Sequence, residues 1–127
     1  MSKKILIVED NELNMKLFND LLESKGYEIV QTRDGMETLN LARQHKPDLI
    51  LMDIQMPIMD GLTATDVLRK EIDYRNPIIG VSANVLKEDV DRAMSAGMDD
   101  YLAKPVIKDA LYKVIRKWLN ISDKKSR

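Results

Sequence analysis

Two adjacent acids, Glu9 and Asp10, close the apolar run in "KILIVED", and a third, Asp53, closes the run in "DLILMD". Ser82 and Lys104 stand at the ends of two further β-prone runs, "PIIGVSA" and "DYLAK". Three carboxylates brought to one place repel each other, and a hard dication relieves that repulsion. Magnesium takes oxygen ligands, keeps several waters, and is typically held by one or two carboxylates plus substrate phosphate. Asp10 and Asp53 are expected to be direct ligands, with the backbone carbonyl of Gln55 completing the protein's share. Glu9, one residue earlier, is expected to point differently and to act through water. Magnesium beside a lysine suits phosphoryl transfer, which depends on positioning and charge neutralisation. A carboxylate can itself be the nucleophile and form an aspartyl phosphate. Asp53 is the expected acceptor, because an aspartate after so apolar a run is costly unless metal and lysine offset it.

These residues can meet only if the elements before them are parallel strands. The β-prone runs are "KILIVE", "YEIVQT", "DLILMD", "PIIGVSA" and "DYLAK". Helical spacing alternates with them: Asn11 to Lys25 with Leu17, Phe18, Leu21 and Leu22 recurring, Gly35 to His45 with Leu39 and Ala42 inward, and Gly61 to about Ile72 with Val67 and Leu68 inward. Lys87 to Ala96 and Ile107 to Leu119 follow, the last carrying Leu111, Val114, Ile115 and Trp118. Gly26 and Gly97 read as helix stops, and Pro47 closes off the second helix. The more polar "YEIVQT" is expected at a sheet edge. Fivefold alternation of strand and helix predicts an α/β fold with a parallel sheet covered on both faces. In such sheets ligands sit beyond the carboxyl ends of the strands, which is where the acids, Ser82 and Lys104 fall.

The gross properties narrow the classes. The 127 residues suffice for one domain, expected over 1–120 with a polar, frayed tail over 121–127. Lys plus Arg number 20 and Asp plus Glu 21, so the net charge of -1 offers no electrostatic case for nucleic acid or an anionic membrane. The absence of cysteine excludes disulfides and thiolate metal sites and fits a reducing, cytoplasmic setting, and the single His45 excludes a multi-histidine metal site. No apolar run reaches the roughly 18 residues of a membrane span.

The segments "ILIVEDNELN", "DLILMDIQMPIMDG", "VSAN" and "DYLAKP", in this order and spacing, resemble the receiver domains of two-component response regulators over essentially the whole chain. The resemblance implies a flavodoxin-like (βα)5 fold with strand order 2-1-3-4-5. It implies Asp53 as phosphoacceptor, Glu9 and Asp10 as the acidic pair for magnesium, and Lys104 on the phosphoryl oxygens. Ser82 would be the switch hydroxyl, Tyr101 the aromatic switch rotating inward behind it, and Pro105 would follow a cis peptide. Gln55 and Asn84 fall where they would influence access of the hydrolytic water. Glu9 stands where aspartate is common and Ser82 where threonine is frequent, and neither change removes the needed chemistry. The N-terminal part is most similar to single-domain regulators of the cell-cycle type; receivers of hybrid histidine kinases are the other branch. Expected partners are a histidine kinase or phosphotransfer protein upstream and a kinase or effector downstream. The protein would catalyse only its own phosphorylation and dephosphorylation, and would signal by protein contact or phosphorelay.

Other readings compete. A magnesium-dependent phosphatase of the haloacid dehalogenase type needs a second aspartate two positions after its nucleophile, and that position is Gln55. A nucleotide binder needs glycines that "EDNELN" lacks, and a degenerate receiver would act as a scaffold only. Asp10 is also a good helix N-cap. Asn14 falls on the helical stripe of Leu17, Phe18 and Leu21, with Leu13 and Met15 flanking it as core or docking surface. Trp118 and the methionines are assigned to the core, and His45 to solvent near a helix end.

Overall fold

The computed structural model describes residues 2–56 and 59–125, with backbone alone for 121–125. Five strands alternate with five helices: β1 Lys4–Val8, α1 Glu12–Glu23, β2 Glu28–Thr32, α2 Gly35–His45, β3 Leu49–Asp53, α3 Gly61–Lys70, β4 Ile78–Ser82, α4 Lys87–Ala96, β5 Asp100–Ala103 and α5 Lys108–Lys125. The strands form one parallel sheet in the order β2-β1-β3-β4-β5, the flavodoxin-like arrangement. β2 and β5 are its edges, and the central strands β3 and β4 are buried at every residue.

Side chains alternate between the two faces of a strand, and the central strands carry apolar residues on both. Ile5, Ile7, Leu49, Leu51, Ile79 and Val81 pack with Met15, Phe18 and Leu22 of α1 and with Leu111, Ile115 and Leu119 of α5. Leu6, Val8, Ile50, Met52 and Ile78 pack on the other side with Ala42 of α2, Ala64 and Leu68 of α3, and Ala93 of α4. Fully burying each such aliphatic side chain stabilises the fold by roughly 1.5–3 kcal/mol, partly offset by lost chain entropy.

The helices begin where short polar side chains satisfy free N–H groups. The amides of Asn14, Met36 and Thr63 donate to the side chains of Asn11, Asp34 and Asp60 at the starts of α1, α2 and α3. The α1 cap is therefore Asn11, and Asp10 is left exposed and available for other work. Behind the third strand, Gly61 donates its N–H to the Ile54 carbonyl at 2.9 Å. A Cβ there would run into the Asp53 carbonyl oxygen, so only glycine lets α3 approach the end of β3 this closely.

Several expectations need correction. The buried stripe of α1 is Met15, Phe18 and Leu22, whereas Leu17 is 44% exposed and Leu13 78%. The helix is rotated from the expected phase because Met15, Phe18 and Leu22, one turn apart on a single stripe, are the residues that pack on the sheet. Met36 and Met94 are exposed rather than in the core, each lying on the outward side of its helix. α5 continues past Leu119 to Lys125 in backbone, and the rest of the expected tail lies outside the described residues, as do Pro57 and Ile58 of "MPIMDG".

Candidate functional site

The register of the sheet brings the acids together. Val8 pairs with Met52, so the next residues, Glu9 and Asp53, emerge side by side. By alternation both continue the sheet face that carries Ile7 and Leu51. Glu9 still belongs to the ladder, donating its N–H to the Thr32 carbonyl at 3.0 Å. On the same face β5 places Leu102, and two residues later Lys104 reaches across. Its Nζ lies 3.2 Å from Asp53 Oδ1 and 3.5 Å from Glu9 Oε1. The carboxylate oxygens of Glu9, Asp10 and Asp53 lie within 4.8 Å of one another.

Glu9 and Asp10 point differently, Glu9 inward and Asp10 to the exposed side. Glu9 is fully buried and turned into the cluster, held by the Asn11 N–H on Oε2 at 3.1 Å. Asp53 Oδ1 accepts from the Gln55 N–H at 3.2 Å as well as from Lys104. Glu9 Oε1 and Asp53 Oδ2, both buried, have no hydrogen-bond partner. Orphaned buried carboxylate oxygens are costly. A set of hard carboxylate oxygens, two of them without hydrogen bonds, fits magnesium better than the softer metals that favour nitrogen or sulfur.

Burial pushes the Glu9 carboxyl up to about 7; the Asn11 N–H opposes this, the neighbouring Asp53 adds to it, and Lys104 opposes it. Burial also raises Asp53, opposed by the neighbouring Glu9, by Lys104 and by the Gln55 N–H. The folded metal-free protein therefore keeps a proton on Glu9 between its ordinary value of 4.5 and about 7, where the unfolded chain has released it. Folding then binds protons, so stability falls as pH rises through that window and is level above it. Urea denaturation in a chelator at pH 5, 6, 7 and 8 should show a loss of at most about 3 kcal/mol, at roughly 1.4 kcal/mol per pKa unit. Glu9→Gln should flatten the slope, and a wild-type curve already flat would remove Glu9 as its source.

The hydroxyl and the tyrosine lie on the opposite face. Ser82 ends β4 in the alternation of Ile78 and Gly80, and Tyr101 pairs with Gly80 from β5. Ser82 is buried, its Oγ accepting the Asn84 N–H at 3.0 Å. The Tyr101 hydroxyl donates to the Asn84 carbonyl across a cavity of about 90 Å³, which Ile54, Ser82 and Asn84 help to line. Gln55 is exposed; its Oε1 accepts from the Ala83 N–H at 3.4 Å, bridging the loops after β3 and β4. Pro105 follows a cis peptide bond from Lys104. Asn14 and His45 are both partly buried; the Asn14 N–H donates to Asn11 Oδ1, and the His45 carbonyl accepts from Lys4 Nζ. The residue missed in the sequence is Asn11, which caps α1 and anchors Glu9; an N-cap amino acid just after an acidic pair was the available signal.

Residues 5–116 match the model of the response regulator receiver domain. Polar-differentiation response regulator DivK from Brucella anthropi is 48% identical over 120 residues, covering 94% of this chain and 98% of that protein. The receiver domain of a sensor histidine kinase from Pseudomonas aeruginosa, with a magnesium ion coordinated in its active-site cleft, superposes with a TM-score of 0.86 at 37% identity, covering 94% of this chain and 99% of that one. The receiver domain of a signal transduction histidine kinase from Syntrophus aciditrophicus gives 0.86 at 32% identity, over 94% and 91%.

Proposed function

Because the chain belongs to the response regulator receiver domain family, and so to phosphorylation-switched two-component signalling, we propose that Asp53 is its phosphoacceptor and that Glu9, Asp10 and Asp53 hold magnesium. The observation that carries this is the convergence of three carboxylates and one ammonium at the end of β1, β3 and β5, with two buried carboxylate oxygens that accept no hydrogen bond. The Gln55 carbonyl is assigned as a further ligand. When bound, the ion would neutralise the acids and the incoming phosphoryl oxygens.

The residues then divide the work. A carboxylate oxygen of Asp53 attacks phosphorus, and the bond from phosphorus to the donor's imidazole nitrogen breaks. Lys104, already within reach of Asp53, holds a phosphoryl oxygen. Ser82 gives up the Asn84 N–H and turns its hydroxyl to the new anion, and Tyr101 leaves the Asn84 carbonyl to fill the space behind it. This is a population shift biased by one local charge. Gln55 and Asn84 govern the approach of hydrolytic water. The donor is a phosphohistidine on a kinase or phosphotransfer protein, and the receiver of the signal is a kinase or effector in the cytoplasm. No helix of the described residues is long and apolar enough to cross a membrane. Gln55, standing two places after Asp53, lacks the acid a phosphatase of the haloacid dehalogenase type needs, so turnover of phosphate esters is not favoured.

The test is incubation with a small phosphodonor, with and without magnesium, read by intact mass. One phosphoryl group should appear with the metal and be absent in chelator. No adduct under either condition, at donor concentrations that load other receivers, would refute the assignment.

A further inference from the structure

The side chain of Arg69, in the last turn of α3, is 14% exposed, and its guanidinium makes four bonds to the α3–β4 and α4–β5 connections. Nε donates to the Gly97 carbonyl at the C-cap of α4 at 2.9 Å. Nη1 donates to the Tyr74 and Asn76 carbonyls in the loop before β4, at 2.6 and 2.8 Å. Nη2 pairs with Asp99 Oδ2 at 2.8 Å, and the same oxygen takes the Ile78 N–H at 3.0 Å. Gly97 has φ +115°, and a Cβ there would lie 2.7 Å from Arg69 Cγ, so the bare backbone lets the arginine stem pass over the end of the helix.

The other end of α4 has no such anchor. Its N-cap is Leu86, which makes no side-chain cap bond, alone among α1 to α4. Residues 83–88 are all exposed, with Val85 at 54% and Leu86 at 64%. Only Ala93 of α4 is fully buried. The loop that leads into this end is held at Ala83 and Asn84, by Gln55 Oε1, Ser82 Oγ and the Tyr101 hydroxyl, and the Tyr101 bond is the one that the switch releases. A segment with few buried contacts opens at low free energy, whereas a forked arginine with several acceptors resists opening.

We infer that Arg69 is a positioning residue that pins the C-terminal end of α4, so that switching displaces its N-terminal end, beside Ser82 and Asn84. This rests on the receiver reading above. The pinned end serves as a pivot: release of the Tyr101–Asn84 bond swings the exposed Val85–Leu86 end, while Gly97 to Asp99 stays in register with β4.

Amide hydrogen exchange on the whole chain tests this in two arms. In the unphosphorylated protein, Arg69→Lys keeps the charge and loses the fork. It should raise exchange across Met94–Met98 by about tenfold or more while leaving β1, β3 and β4 unchanged, since selective rather than global loss marks local opening. Unchanged exchange at Met94–Met98, or an equal rise throughout the sheet, overturns the inference. Should Arg69→Lys not fold, Asp99→Asn removes one charge-assisted bond and gives the same readout. In the second arm, phosphorylated wild type should change exchange over residues 83–92 and not over 94–98, and in Arg69→Lys the change should spread into 94–98. Equal change at both ends in wild type overturns the pivot. Intact mass of the same samples separates the two ideas: wild type without an adduct sinks the receiver assignment, and the first arm still decides the clamp.

Discussion

Asp53→Asn is expected to abolish phosphoryl incorporation from a small donor in magnesium, with intact mass unchanged after incubations that load the wild type. The amide keeps the shape of the carboxylate and its bond from the Gln55 N–H, but its oxygen is a far poorer nucleophile and carries no charge for the metal or for Lys104. In the metal-free protein at pH 8 the same change removes one of two buried adjacent carboxylates. Lys104 loses its bond to Asp53 but keeps Glu9 as a partner, and the repulsion between the two acids is removed, so the variant should be more stable than wild type by about 1 kcal/mol. The stabilisation by millimolar magnesium should shrink accordingly, because preferential binding to the folded state is weakened. A phosphoryl adduct that persists in Asp53→Asn would move the acceptor elsewhere in the acidic cluster. A large destabilisation would mean that the charge is needed by the fold rather than by the chemistry.

Lys104→Met is expected to act in the opposite direction on stability and in the same direction on phosphorylation. The ammonium is the cation within ion-pair distance of both Glu9 and Asp53 among the described residues. Without it, two buried acids face each other uncompensated, and at pH 8 without metal the variant should lose about 2–4 kcal/mol, as when one partner of a buried pair is removed. At pH 5 the loss should be smaller, because burial already holds the Glu9 carboxyl up to about 7 and the group is then neutral. With magnesium present, phosphorylation should slow on the order of 10²-fold, the usual effect of removing one preorganised donor to developing charge. Urea curves at the two pH values and the time course of adduct formation check the two halves separately. Equal destabilisation at both pH values would show that the lysine acts by packing its stem and not by its charge.

The two variants probe a site whose charge balance depends on a register. Glu9 shows how far a sequence carries the argument. The apolar run before it, its acidic neighbour and the distant Asp53 and Lys104 identified the chemistry, because only parallel strands side by side can gather such residues. Its orientation was not readable, because a single residue of offset between β1 and β3 decides whether Glu9 and Asp53 leave the sheet on the same face. The pairing of Val8 with Met52 settles it. The α1 stripe is the same kind of case. Leu17 and Met15 both fit helical spacing, and only the packing of α1 on the sheet puts Met15 in the core and leaves Leu17 outside.

Arg69 marks the other boundary. Nothing in "VLRKEIDYRN" distinguishes it from a solvated arginine. Its acceptors are main-chain carbonyls of Tyr74, Asn76 and Gly97 and the carboxylate of Asp99, up to thirty positions away. Backbone carbonyls carry no side-chain signature, so such a site exists only once the chain is folded.

By itself the sequence determined the alternation of strand and helix, the apolar strands buried on both faces, and the acids, hydroxyl and lysine stationed at their ends. These depend on local periodicity and on the cost of burying charge, which the residue types express directly. The tertiary structure alone decided that Glu9 turns inward beside Asp53 while Ser82 and Tyr101 take the opposite face, and that α4 is tied by Arg69 at one end and lacks a side-chain cap at the other. Those outcomes depend on strand register and on bonds to backbone atoms between segments far apart in the chain, and neither is encoded in any one stretch of residues.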